Sequence, residues 1–377
     1  MKSPTSNIFS VAVCIDTRDG SGRERLHGVA KFARQSNWKM MLVRDSGVNA
    51  AQEVMPLKPD GIIAYIAHSR LLSIAKKMSI PLIDTALTGL KAPMTVSVDD
   101  DAVGHLAATH FMESGFKNFG YCGVADIAAS ENRHNSFLSY LNGLKLYSFS
   151  EPIFEGESNL QKLTKWLKKL PKPSGVLVFD DKLGERVLTA CKWAKLSVPN
   201  DVAILGVGND ELMCEVSWPS LSSISFPVAQ LGFEAAEMLD QAMNGENIQN
   251  PHRKIQPTGV ATRSSTEVIA FDDPLLKSAI ALIRKRDGDL MGVKQIAQAV
   301  GVSRRTLDRK FKEYLGKTVR FELDKVKIQM AHAMLVDRTK KIADISRRCG
   351  FTTPASFSRS FHQHTGSWPS EYRKAMR

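Results

Sequence analysis

The chain has 377 residues, 43% of them hydrophobic and 24% charged, with 51 Lys and Arg against 39 Asp and Glu and a formal net charge of +12. That length has room for two or three domains and that apolar fraction for packed cores, which excludes a disordered or fibrous chain. The charge is uneven: residues 274–377 carry 23 basic and 9 acidic side chains, the remainder 28 and 30. A near-neutral body with a basic tail is the electrostatic footprint of a module that binds a polyanion.

Cys14, Cys122, Cys191, Cys214 and Cys349 are widely spaced, without a Cys-x-x-Cys or Cys/His cluster. They read as buried free thiols of a reducing compartment, and no metal or cofactor is expected. The first residues hold a short apolar run without a cleavable leader, and no apolar stretch is long enough to span a bilayer, so a soluble cytoplasmic protein is expected. His105, His110 and His134 lack the nucleophile or carboxylate spacing of a catalytic group, so the chain does not read as an enzyme.

Residues 8–262 alternate short apolar runs, bounded by Gly, Pro and Asp, with segments of helical length. Strands are expected at 9–15, 39–43, 61–66, 82–84, 95–98, 118–122, 175–179, 202–207 and 222–224. Helices are expected at 22–35, 69–78, 101–114, 133–144, 159–170, 182–194 and 228–244. This alternation predicts parallel sheets with helices on both faces. About 250 residues is more than one sheet takes, so two α/β lobes are expected.

Ligands of open α/β sheets bind beyond the carboxyl ends of strands. Here those ends carry Asp16-Thr17-Arg18 with Arg23 shortly after, Asp99-Asp100-Asp101, Asp180-Asp181 and Asn209-Asp210. One aspartate after a strand is most simply the cap of the next helix. Four such ends together predict a cleft for a neutral, hydroxyl-rich ligand, because carboxylates accept from hydroxyls and guanidinium donates to oxygens.

The basic tail writes one pattern twice, VKQIAQAVGVSRRTLDRKFKEYLGKT and IADISRRCGFTTPASFSRSFHQHTGS. Each copy has apolar residues at i, i+3 and i+7 (Val293, Ile296, Val300; Ile342, Ile345, Cys349), then Gly301 or Gly350, then a hydroxyl cap, Ser303 or Thr353. A second helix follows with an inward pair, Leu307 with Phe311 and Phe357 with Phe361. Two short helices about a glycine turn offer the second helix to the major groove. The expected contacts are Arg304, Arg305, Arg309 and Arg359, with Ser303, Thr306, Thr353, Ser356 and Ser360 beside them and Lys310 and Lys312 on phosphate. Residues 318–336 are expected to form one long helix between the copies.

The double pattern, through the closing Gly366, Pro369 and Tyr372, resembles the DNA-binding domain of the AraC/XylS family, with Val319 where many relatives have proline. SVSVDDDAVGHLAATHFMESGFKNFGYCG and GVLVFDDKLGERVLTACKWAKLSVPNDVAILGVGNDE resemble LacI/GalR-type repressors and periplasmic sugar-binding proteins. That second resemblance implies a two-lobed sensor and places ligand contacts at Asp99, Arg133, Asp180 and Asn209. Asp210 follows Asn209, and Asp16, Arg18 and Arg23 lie in a loop that lines the family's cleft. Ser136 replaces a usual glycine. LacI-type repressors carry their DNA-binding domain ahead of the sensor; here DNA binding is expected from the other end.

The whole chain is similar to the group of xylose-operon activators. The implied organisation is a sensor at 1–262, a junction at 263–273 and a double helix-turn-helix domain at 274–377. The implied partners are an operator in double-stranded DNA, a xylose-like monosaccharide, a second copy of the chain and, for an activator, RNA polymerase. A different monosaccharide, or repression in place of activation, is the alternative.

Overall fold

The computed structural model describes residues 8–43, 49–65, 69–86, 92–151, 157–267, 273–284, 292–335, 340–365 and 367–375. Ile66, Val336, Gly366 and residues 268–272 of the expected junction lie outside these. The chain divides into two compact units, residues 1–112 with 116–268, and 113–115 with 269–377.

The first unit begins β1 (Ser10–Cys14), α1 (Gly20–Gln35), β2 (Lys39–Leu42), α2 (Ala50–Leu57), β3 (Gly61–Ala64), α3 (Ser69–Met78), β4 (Leu82–Asp84), β5 (Met94–Val98) and α4 (Asp100–Glu113). It continues β6 (Asn118–Val124), α5 (Ala128–Tyr140), β7 (Leu146–Glu151), α6 (Glu157–Lys169), β8 (Ser174–Val178), α7 (Asp181–Ala194) and β9 (Val202–Gly208). It closes with α8 (Glu211–Val216), β10 (Ser222–Ser225), α9 (Val228–Met243), β11 (His252–Ile255) and β12 (Gly259–Ala261). Every strand and helix expected from the apolar pattern is present, and α2, β7, α8, β11 and β12 are additional.

Two six-stranded sheets result, ordered β11-β5-β4-β3-β1-β2 and β12-β10-β9-β8-β6-β7. All pairings are parallel except β10 with β12. Strands such as Val11–Cys14 and Val176–Val178 are buried on both faces, which is why they read as unbroken apolar runs. The chain passes between the lobes after β5, after β10 and after β11. The crossings are tied to one another. Asp99 N–H donates to Ile255 O at 2.9 Å, Gln256 Nε2 to Asp99 Oδ2 at 2.7 Å, and Thr258 N–H to Ser225 O at 2.7 Å.

Close helix packing needs glycine at two places. A Cβ on Gly28 of α1 would lie 1.9 Å from Ala229 O, and one on Gly232 of α9 would lie 2.0 Å from Arg25 O. The two backbones therefore touch, and α1 cannot slide on α9. In the other lobe, Ser136 of α5 sits where a Cβ on Gly104 of α4 would meet its Oγ at 2.2 Å. The glycine missing from α5 is compensated by one on α4, and Ser136 Oγ uses the space to donate to Asp101 O at 2.8 Å.

The second unit holds α10 (Pro274–Arg284), α11 (Val293–Ala299), α12 (Arg304–Leu315), α13 (Val319–Leu335), α14 (Ile342–Arg348), α15 (Pro354–Thr365) and α16 (Pro369–Ala375). Gly301 and Gly350 turn between the paired helices at φ of +73° and +70°, the left-handed region that favours glycine. There are two cores. Ile296, Leu307, Phe311, Val319 and Leu323 fill the first, and Ile328, Leu335, Ile345, Phe357 and Phe361 the second. The helix α13 contributes its first half to one and its second half to the other. Val319 N–H donates to Asp308 Oδ1 at 3.3 Å, a bond that proline could not make.

Candidate ligand cleft and nucleic-acid interface

A cleft between the lobes is lined by side chains from both. Asp19, Ser21, Arg25, Tyr65, Thr85 and Ser97 come from the first lobe; Asp100, Arg133, Phe179, Asp180, Asp181, Lys182 and Asp210 come from the second. The cleft, partly open to solvent, offers about 110 Å³ and suits a small molecule. Carboxylates, hydroxyls and guanidinium groups around aromatic walls can take hydroxyl protons and offer donors to ring and hydroxyl oxygens.

Arg133 anchors the second lobe's side. Its Nη2 and Nε donate to Asp100 Oδ1 at 2.6 and 3.1 Å, its Nη1 donates to Phe179 O, and its guanidinium lies 4.9 Å from the Phe179 ring centre. Both side chains of the ion pair are only 7% exposed. Burial pushes the Asp100 carboxyl above its ordinary range and Arg133 only partly opposes this, so the pair depends on its geometry.

Three further carboxylates are set by backbone donors. Asp180 caps α7, accepting from Leu183 N at 2.7 Å, and burial raises its pKa. Asp181 is 3% exposed and accepts from Ser223 Oγ at 2.5 Å and from Asp210 N at 2.8 Å. Asp210 caps α8 through Met213 N at 3.3 Å while its other oxygen accepts from Gly20 N, at the start of α1 in the opposite lobe, at 2.8 Å. One carboxylate thus serves helix N-termini on both sides of the cleft, where the helix dipoles favour negative charge.

Burial pushes Asp181 up to about 6. A carboxyl raised in the folded state binds its proton more tightly there than in the unfolded chain. Its contribution to stability is therefore full below about pH 4 and is lost as pH rises through about 6, at roughly 1.4 kcal/mol per pH unit. Urea titrations across that window are expected to show stability falling with pH more in the wild-type chain than in Asp181→Asn, by up to roughly 1.4 kcal/mol per pH unit. Equal slopes would show that Asp181 does not titrate there.

Of the expected ligand residues, Arg133, Asp180 and Asp210 line the cavity, and Asp16, Arg18, Arg23, Asp99 and Asn209 do not. Asp16 and Arg18 close on each other at the surface, Arg18 Nε donating to Asp16 Oδ1 at 2.9 Å; those bonds hold the Asp16 carboxyl below its usual range. Arg23 folds back onto Thr17 O and Arg18 O at 3.1 Å. Asp99 is held by Gln256 and Lys254 at the interlobe crossing, one residue short of the cleft carboxylate Asp100. Asn209 donates its N–H to Ser223 Oγ at 3.0 Å and accepts from Arg263 Nη2 at 2.9 Å. Arg263 to Thr266, read as junction, are bonded into the second lobe: Ser265 Oγ donates to Ile204 O at 2.7 Å.

The residues expected from sequence do not include Arg25 or Tyr65, and within the predicted cluster Asp99-Asp100-Asp101 the cleft residue is Asp100 in place of Asp99. Arg25 sits in α1, on the face that also holds Gly22, Gly28 and Val29, and its guanidinium lies 4.4 Å from the Tyr65 ring centre. The signal was available. Arg25 falls one turn before Gly28 on the buried stripe, whereas Arg23 falls on the exposed one.

In the second unit Ser303 caps α12, its Oγ accepting from Thr306 N at 3.1 Å, and Thr306 Oγ1 lies 2.9 Å from that same oxygen. Thr353 and Ser356 cap each other, Ser356 N donating to Thr353 Oγ1 at 3.1 Å and Thr353 N to Ser356 Oγ at 3.3 Å. These hydroxyls hold helix starts. Arg304, Arg305, Arg309 and Arg359 face solvent, with Arg304 3.5 Å from Asp308, and Arg347 and Arg348 extend the exposed basic surface. Two expected contacts are placed elsewhere. Lys310 is ion-paired to Asp273 at the start of α10, and Ser360 is 8% exposed, on the inward face with Phe357 and Phe361. No helix among the described residues is long and apolar enough to cross a membrane.

Two parallel-sheet lobes about a polar cleft, with a paired helix-turn-helix unit in the same chain, define a ligand-sensing transcription regulator. Residues 108–266 match the periplasmic binding protein-like domain and residues 296–375 a helix-turn-helix domain. The chain is homologous to xylose operon regulatory proteins: 26% identical to that of Haemophilus influenzae over 98% of this chain and 99% of the relative, and 25% to that of Escherichia coli K12 over 93% of each. A solved structure of the xylose-binding transcription activator XylR superposes with a TM-score of 0.59 at 22% identity, covering 98% of both chains. A LacI-type regulator from Alkaliphilus metalliredigens, complexed with D-xylulofuranose, covers 68% of this chain and 98% of its own with a TM-score of 0.56 at 20% identity. These relatives are regulators, not enzymes.

Proposed function

We infer that this chain is a cytoplasmic transcription regulator whose cleft takes a neutral pentose of the xylose kind and whose two outward helices, α12 and α15, hold an operator. The observation that carries the reading is the conjunction of a cleft lined by five aspartates and three cations with exposed arginines on both groove helices. Sugar bound between the lobes favours their approach only by its differential affinity for that arrangement. Two groove helices per chain fit two major-groove segments about one helical turn apart. The similarity to operon regulators supports control of transcription, and this reading takes that control to be activation, with RNA polymerase as a further partner.

A second copy is the remaining partner in this reading. Leu212 and Val216 on α8 and Trp218 just beyond are 67, 73 and 93% exposed, an apolar patch of the kind that marks a protein interface.

Thermal shift of the full chain against neutral pentoses and hexoses tests the sensor, since ligand raises the melting temperature by mass action. Operator binding by fluorescence anisotropy tests the other end. Arg305→Ala with Arg359→Ala is expected to weaken binding by roughly tenfold or more, with a shallower salt dependence. Sedimentation of the same preparation is expected to show a dimer that Trp218→Glu dissociates. A protein that binds no sugar, or the same DNA equally well in the double variant, is not the regulator described.

A further inference from the structure

The cleft contains one arginine whose donors are not taken up by protein. Arg133 spends its guanidinium on Asp100 and Phe179 O. Arg25 is 4% exposed and lines the same cavity, yet among the described residues no hydrogen bond reaches it, and its Nε is closed off from solvent without a partner. Its position is rigid. The Tyr65 ring covers the guanidinium at 4.4 Å, and its backbone carbonyl packs against Gly232, where a Cβ would lie 2.0 Å away. Leaving a buried donor unmet is costly, and a guanidinium can donate but cannot accept.

The ring lies over the guanidinium, whose parallel N–H groups match two neighbouring oxygens of a molecule held in the cleft. The charge around it decides what those oxygens belong to. Asp19, Asp100, Asp180, Asp181 and Asp210 outnumber Arg25, Arg133 and Lys182 in the lining. An anionic ligand meets net negative charge there, whereas hydroxyls can give their protons to the carboxylates and their lone pairs to Arg25. We propose that Arg25 is the residue that selects the effector, reading a pair of adjacent oxygens on a neutral sugar, either two vicinal hydroxyls or the ring oxygen and its neighbour. This rests on the sugar-sensing reading above and adds a residue, a contact and a discrimination to it.

Calorimetry on the full chain tests it, with neutral pentoses and hexoses, their uronic acids, and single-deoxy analogues of whichever sugar binds. The wild-type chain is expected to bind the neutral sugar and to reject the matching uronate. One or two deoxy analogues are expected to lose roughly 10- to 100-fold in affinity, and Arg25→Met to lose a similar factor for the parent sugar. Those same analogues should then bind Arg25→Met nearly as well as the parent does, which a merely structural arginine would not produce. If Arg25→Met does not fold, the wild-type series decides alone: a uronate that binds as tightly as the neutral sugar overturns the assignment. If a sugar binds and Arg25→Met keeps its affinity within about twofold, Arg25 is not the selector while the sensor reading stands. If no sugar binds the wild-type chain, both fall.

Discussion

Arg133→Ala is expected to destabilise the sensor unit by about 3–5 kcal/mol, because it leaves Asp100 ionised, buried and without its partner. Asp100 is only 7% exposed, and Arg133 supplies both of its charge-assisted bonds, at 2.6 and 3.1 Å. Removal also takes away the donor to Phe179 O, next to the start of α7 and its cap Asp180. The penalty has a pH signature. Burial already pushes the Asp100 carboxyl up, and without Arg133 it can escape ionisation by protonating, so the deficit should shrink as pH falls. Replacing both members, Arg133→Met with Asp100→Leu, should recover much of the loss, since the unpaired charge and not the missing pair is what costs most. Denaturant titrations at neutral and mildly acid pH measure all three. A single variant as stable as the wild type at neutral pH would show that the pair is not structural.

The second large effect is expected at Gly28. Alanine favours a helix interior over glycine by about 1 kcal/mol, so propensity alone predicts stabilisation. Geometry predicts the reverse, because the new methyl would sit 1.9 Å from Ala229 O and 2.8 Å from Phe233 N, both backbone atoms that no rotamer change can move. Helices α1 and α9 must separate, and overpacking of this kind costs about 1–3 kcal/mol. Arg25 lies one turn earlier on α1, so the displacement should reach the cleft as well. Gly28→Ala is therefore expected to lower the melting temperature and to weaken sugar binding together. Glu24→Ala, on the exposed side of the same helix, serves as the control and should do neither. A neutral or stabilising Gly28→Ala would mean that the two helices are not locked as described.

Much of this architecture was legible because periodicity is a local property. The strand runs, the duplicated helix-turn-helix pattern and, α5 apart, the helices fall close to where their spacing puts them. What escaped was set by partners far along the chain. The strand β11 reads HRKI, mostly polar, and exists because it pairs with β5, about 157 residues earlier. That same pairing turns Asp99 toward Gln256 and leaves Asp100 for the cleft. The helix expected at 133–144 spans Ala128–Tyr140 and begins after Ile127, which offers no side-chain capping bond to mark its start. Arg133 consequently belongs to the second turn, on a face buried with Ser130 and Ser136. On α12 and α15, basic composition marks the exposed surface, but the inward phase of Ser360 and the pairing of Lys310 with Asp273 depend on packing.

The peptide passes between the two sensor lobes at three points joined by their own hydrogen bonds. Three such tethers side by side make an axle: they resist twisting and sliding of one lobe on the other and leave rocking as the easy motion. Whatever enters the gap is thus translated into a single angle between the lobes.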